Sequence, residues 1–194
     1  MISKKTTKVK TAPTAIAHVA FLRGINMIGH KLIPMTALVR LFSSLGLQKV
    51  KTYLATGNVV FESEESDPKK LTSKIEKKLK SSLGYEVIVM LRSMSELELL
   101  VSRNPFDGEE VDNKKTKAVV TFLATSSHPK IRFPFLSPKR EFKILGTGPS
   151  EVFSLRYALG NGRFGDSVSF IEREFGAPTT SRNYNTVIKI LALK

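Results

Sequence analysis

Val50–Glu62, VKTYLATGNVVFE, decides how the fold is read. Two runs rich in β-branched and aromatic residues flank Thr56-Gly57-Asn58, where Gly57 and Asn58 tolerate the positive φ of a tight turn. The stretch reads as a hairpin, Val50–Ala55 against Val59–Glu62. Upstream, Met35, Leu38, Leu41, Phe42 and Leu45 recur at helical spacing between Pro34, suited to a first helical position, and the stop at Gly46. Further back, His18–Asn26, HVAFLRGIN, reads as a buried strand. Downstream, Asp67 is placed to cap a helix opened by Pro68, with Leu71, Ile75, Leu79 and Leu83 on one face and Gly84 at its end. Glu86–Arg92 is a last strand. The order is strand, helix, strand, strand, helix, strand. That is the ferredoxin-like split βαβ plan, with two helices on one face of a four-stranded antiparallel sheet whose first and third strands pair.

The second half, residues 94–194, is less regular but still α+β. Ser93-Met94-Ser95-Glu96 offers a capping box for a short helix to about Arg103. Thr116–Ala124 is a strand, and Pro129, Pro134 and Pro138 exclude a long helix over the following stretch. Glu141–Leu145 and Glu151–Ala158 form a strand pair, and a helix runs from about Ser167 to Gly176. The last helix is expected to start near Ser181 and to bury Tyr184, Val187, Ile188 and Leu191. The domain reading is a disordered basic tail over 1–16, a ferredoxin-like subdomain over 17–93 and a second α+β subdomain over 94–194.

Charge limits the partners. The chain carries 31 basic and 17 acidic residues, net +14, of which Lys4, Lys5, Lys8 and Lys10 sit in the tail. Such a body attracts polyanions through Coulomb forces and counterion release. The absence of cysteine removes disulfides and thiolate sites together and fits a reducing, cytoplasmic setting. No apolar run reaches the roughly 20 residues of a membrane-spanning helix, so no membrane association is expected. The first 16 residues lack the apolar stretch of a secretory signal.

Three stretches stand out together: AFLRGIN (Ala20–Asn26), YLATGNVVF (Tyr53–Phe61) and SRNYNTVIKI (Ser181–Ile190). Their order and separation resemble the bacterial domain-of-unknown-function 1697 family, from about His18 to the end of the chain. The resemblance implies a ferredoxin-like first half and a related second half. It implies no activity. The chain departs from the family pattern at Ile28, where a glycine is usual, at Tyr184, where a tryptophan is usual, and in Arg163–Ser167, which lacks the Ser-Lys expected there.

Two polar segments are candidate ligand sites. In RGINMIGHKLIP, Arg23–Pro34, glycines allow close backbone approach and Arg23, Asn26, His30 and Lys31 add donors. There is neither a Gly-Lys-Ser/Thr P-loop nor a GxGxxG fingerprint. At the start of the last helix, Ser181 is a candidate cap, and Arg182 and Asn185 share an outward face with Asn183 beside them. That set is either a pocket for phosphate or carboxylate or a tie between helix and sheet. With Asn58, the candidate ligand-binding set is Arg23, Asn26, Asn58, Arg182, Asn183 and Asn185. The expected function is binding of an anionic partner, a phosphate-bearing small molecule or nucleic acid, in a polar cleft between the halves. The alternatives are an enzyme acting on a small anionic substrate and a protein–protein module.

Chemistry beyond binding has little sequence support. His18, His30 and His128 show no metal-ligand spacing, no GxSxG occurs, and the acidic loops Glu62–Asp67 and Glu109–Asp112 lack EF-hand spacing. No catalytic residue, metal or cofactor is named by any pattern. Phe21 and Phe61 read as core rather than stacking platforms, and the lysine-rich helix from Pro68 to Leu83 reads as a solvated face.

Overall fold

Ile16–Leu22 (β1) forms the centre of the first sheet because Val19 to Leu22 are apolar on both faces. The computed structural model describes residues 15–26, 32–127 and 129–193. The tail before Ala15, the loop holding His30 and Lys31, and His128 lie outside the described residues. β1 begins at Ile16, just inside the expected tail, and ends at Leu22, because Gly24 and Asn26 take positive φ and turn the chain.

Met35–Ser43 (α1), Gln48–Thr52 (β2), Asn58–Ser63 (β3), Pro68–Leu83 (α2) and Val89–Ser93 (β4) complete the first half. The sheet order is β2-β3-β1-β4, all antiparallel, which is the split βαβ arrangement. Asp67 caps α2 through Lys69 and Lys70 N–H, Pro68 is its first residue, and Gly84 closes it at φ 80°. Pro34 is the residue before α1, not its first. α1 and α2 bury Leu38, Phe42, Leu71, Ile75 and Leu79 on one face of this sheet.

The second half contains Met94–Ser102 (α3), Thr116–Leu123 (β5), Phe135–Leu136 (β6), Phe142–Thr147 (β7), Glu151–Gly160 (β8), Arg163–Phe164 (β9), Val168–Phe175 (α4), Thr179–Asn183 (β10) and Tyr184–Leu191 (α5). Its sheet runs β10-β5-β8-β7-β6, with β9 on β8. The capping box of α3 is present: the Ser93 hydroxyl accepts from Glu96 N–H, and the Glu96 carboxylate accepts from Ser93 N–H.

The two sheets repeat one pattern. β10-β5-β8-β7 has the connectivity of β4-β1-β3-β2. Register agrees as well: Phe21 opposes Asn58 and Met90, as Phe122 opposes Glu151 and Thr180. A helix follows the fourth strand of each sheet pattern without a linker, α3 after β4 and α5 after β10. Among the described residues the second half has no helix between its first strand and the strand that matches β2. Residues 124–141 take its place, and Ile131, Phe133 and Phe135 pack there against the cluster that buries Ile171 and Phe175 of α4. The third core, between the sheets and α3 and α5, joins the halves. At its centre Phe21 and Phe122 stack, centroids 4.0 Å apart and 14° from parallel.

Two expectations for the end of the chain are corrected. Residues 179–183 are a strand, and the last helix starts only at Tyr184. Val187 and Ile190 are its buried residues, Tyr184 and Leu191 are half-buried against the same core, and Ile188 is exposed, because the face turned to the sheets is centred on Val187 and Ile190.

Candidate functional site

The most polar part of the interior is where each half reaches into the other. Arg92, at the end of β4, extends into the second half. Its Nε donates to Glu151 Oε1 at 2.6 Å, and its Nη2 donates to the Ser150 and Leu123 carbonyls at 2.8 and 3.1 Å. Arg182, at the end of β10, extends the other way. Its Nε donates to Asn58 Oδ1, and its Nη2 donates to the carbonyls of Leu22, Thr56 and Gly57. Each guanidinium carbon stands 5.6 Å from the ring of the phenylalanine in the half it grips, Arg92 over Phe122 and Arg182 over Phe21. The contacts are reciprocal, as they are across a twofold interface. Both arginines are 8% exposed, so they brace the halves and have little reach to solvent. Burial without a carboxylate among the described residues lowers the Arg182 pKa to about 10, which leaves it cationic at neutral pH.

The six residues singled out from sequence therefore separate. Asn58 and Arg182 meet as a buried pair, with Asn58 Nδ2 donating to Tyr53 O and Thr56 Oγ1. Asn26 clasps its own loop, bonding Ile33 N and O and the Ala55 carbonyl. Arg23 pairs with Glu172 of α4 at 2.9 Å and lines an open cleft of about 470 Å³ with Glu86, Thr179 and Ser181. Asn183 and Asn185 are exposed at the start of α5. Arg182 and Asn185 share no helix face, because Arg182 lies on the strand, and Ser181 is no cap, because its hydroxyl bonds that of Thr121 across the sheet.

A second cleft lies beside Arg92. It encloses about 740 Å³ between the ends of β1 and β4, the first turns of α2 and α3, and the segment after β5. The first half contributes His18, Ser66, Lys69 and Arg92; the second contributes Ser95, Glu96, Thr125, Ser126 and Ser150. The N-termini of α2 and α3 both border it, each with its own capping carboxylate, Asp67 on α2 and Glu96 on α3. Glu96 is the one acid on this wall, and its Oε2 is engaged by Ser93 N and Oγ at 2.6 and 2.8 Å.

His18 is the unusual member. It is 6% exposed and stacks on Phe61, and among the described residues neither ring nitrogen has a hydrogen-bond partner. Buried polar atoms are rarely left so. Burial holds its pKa below the ordinary histidine value, against weaker opposing pulls from the Glu96 carboxylate and the Arg92 backbone carbonyl. The ring is neutral at pH 7, with one N–H to give and one nitrogen to accept. Sequence reasoning passed over it because one histidine on an apolar strand has no spacing signal. Among the described residues no group of histidine or acidic side chains is arranged to hold a metal ion.

A family model described as "Protein of unknown function (DUF1697)" matches residues 16–143. No curated protein matches the chain. Among solved structures, the conserved bacterial protein SP0830 from Streptococcus pneumoniae superposes with a TM-score of 0.63 at 18% identity, covering 93% of this chain and 99% of that one. At that identity the likeness concerns the fold. No helix among the described residues is long and apolar enough to cross a membrane.

Proposed function

The chain belongs to the DUF1697 family of proteins of unknown function, and we propose that it binds a small phosphate- or carboxylate-bearing molecule in the cleft beside Arg92. The two subdomains expected from sequence act here as two jaws, in the reducing cytoplasm that a cysteine-free chain suits. The reading keeps the expected location, a polar cleft between the halves, but rests on different residues. Of the earlier candidates Arg23 lines a different cleft, and Glu172 already neutralises it. The observation that carries the reading is His18, a residue of the wall of a cleft with room for a small ligand, whose two ring nitrogens are buried and unpartnered among the described residues. The Lys69 ammonium and the hydroxyls of Ser66, Ser95 and Ser126 supply what an anion needs.

The test is titration of the full chain with inorganic phosphate, pyrophosphate and citrate, followed by calorimetry and by the NMR signals of the His18 ring. One of these anions is expected to move the His18 resonances and to bind at least about tenfold more weakly to Lys69→Gln and His18→Val, roughly one charge-assisted hydrogen bond. Affinity is expected to rise as pH falls, because an anion beside the ring raises its low pKa and binding then takes up a proton. Anion binding that leaves His18 unmoved, or that survives both substitutions, would refute the assignment.

A further inference from the structure

The helix layer of the first half carries charge of nearly one sign. Arg40 on α1 and Lys69, Lys70, Lys74, Lys77 and Lys80 on α2 are exposed. The single acid in the two helices, Glu76, accepts from Val89 N–H and is turned toward the sheet. Lys80 is paired with Glu86, and Lys74 donates to the Leu45 carbonyl at the end of α1. Arg40, Lys69, Lys70 and Lys77 make no ion pair among the described residues. The corresponding helix of the second half, α4, mixes signs with Glu172, Arg173 and Glu174.

An ordinary solvated helix intersperses acids three or four residues from its bases, which removes repulsion. Here Lys70 and Lys74, Lys74 and Lys77, and Lys77 and Lys80 stand at those spacings with like charge. The repulsion ends when a polyanion covers the face. We propose that the outer face of α1 and α2 docks on the phosphate backbone of duplex nucleic acid, independently of the cleft. Lys70 and Lys77 are about 10 Å apart along the helix, a reach that takes in successive phosphates of a strand.

Two observations select this partner over others. No large apolar side chain is exposed on either helix, so the face has nothing to insert into a membrane. None of the exposed large hydrophobic residues among those described is aromatic, so the bases of a single strand find no stacking platform. What remains is contact with phosphates, strongest where their charge is densest, and free of sequence preference.

The experiment compares the full chain, Arg40→Gln/Lys70→Gln/Lys77→Gln, and a control triple in the second half, Lys114→Gln/Lys130→Gln/Lys139→Gln. Both triples lower the net charge by three, and neither touches Lys69 or the cleft. Each protein is titrated with a short duplex, a single strand of equal length and phosphatidylserine vesicles over a range of salt. The first triple is expected to lose at least about tenfold in duplex affinity and to flatten the log–log salt slope by about 2.7, the release of three counterions. The control is expected to lose much less, and the duplex to bind more tightly than the single strand or the vesicles. Equal losses from both triples would assign any binding to bulk charge. Tighter binding to vesicles would assign the face to lipid, and no duplex binding at moderate salt would leave it without a nucleic-acid role. Each of these outcomes overturns the proposal, and none bears on the cleft.

Discussion

The two halves share strand order and register yet receive each other's arginine differently. The first half takes Arg182 with a neutral amide, Asn58, and with carbonyls at a turn where Gly57 has φ 78°. The second half takes Arg92 with a carboxylate, Glu151, beside Ser150. The same place in the same topology is thus a hydrogen-bonded brace in one half and a buried ion pair in the other. The shared requirement is a planar donor fork over a stacked phenylalanine, and the chemistry of its acceptor is free to vary.

The largest effect should come from breaking the charged version. Arg92→Met leaves Glu151 buried without its partner and is expected to lower stability by about 3–5 kcal/mol. Arg182→Met strands only neutral acceptors and also removes a costly buried charge, so about 1–3 kcal/mol is expected. Denaturant unfolding measures both. Equal losses would show that the carboxylate is not what distinguishes the two braces.

A smaller effect separates the turns beneath the arginines. A Cβ on Gly57 would stand 2.3 Å from Ile25 Cγ2 and 3.0 Å from Leu22 Cβ, at a φ that side chains avoid. Gly57→Ala should cost about 2–3 kcal/mol through strain and overpacking. Ser150, the matching residue, already carries a side chain whose hydroxyl meets that of Ser126. Ser150→Ala should cost less than about 1 kcal/mol. Similar unfolding midpoints for the two variants would contradict the asymmetry.

His18 sharpens the comparison further, because register places Val119 at the same position of the second half. The folded-state pKa of His18 is lowered by burial, with Glu96, Arg92 and Lys69 the charged groups around it. The unfolded chain therefore binds this proton more readily, and stability is full above pH 6.5 and falls as the pH drops below it. His18→Val makes the first half resemble the second and should flatten that part of the decline while leaving the protein folded at pH 7. An unchanged pH profile would place the ring in contact with water.

These positions also mark how far the chain can be read without its structure. The first half was legible because each local signal agreed: the Asp67 cap, Pro68, Gly84 and the four-residue spacing of Leu71, Ile75, Leu79 and Leu83 specify α2, and β-branched runs specify the hairpin. The second half lost one helix to a proline-containing segment, and β10 is nearly silent. Thr179, Thr180 and Arg182 of β10 are buried with their polar groups satisfied by Glu172, by Arg182 itself and by the facing turn, and such burial has no apolar alternation to find. Ser-Arg-Asn before an apolar run then looked like a helix cap. One signal was available: Val19-Ala-Phe-Leu22 recurs as Val120-Thr-Phe-Leu123, and Arg-Ser-Met at 92–94 corresponds to Arg-Asn-Tyr at 182–184. Those fragments are short, but they are the strands and arginines of the clasp.

The smallest expected effect lies in the outer layers, where α2 carries like charges and α4 carries mixed ones. Arg40→Gln/Lys70→Gln/Lys77→Gln removes repulsion at the three- and four-residue spacings. Glutamine is as good a helix former as lysine, so propensity does not change the balance. The triple should be more stable than the parent by a few tenths of a kcal/mol per relieved pair at low ionic strength. On α4 the change has the opposite sign. Arg173→Gln removes a cation that stands 3.3 Å from Glu174 and 5.2 Å from the Phe170 ring near the helix C-terminus, and should destabilise slightly. In 1 M salt, where the Debye length is about 3 Å, the gain on the first helix should vanish, because it is an interaction between exposed charges. A gain that persists in high salt would mean that packing, and not repulsion, had changed. The lysine face would then carry no electrostatic strain for a polyanion to relieve.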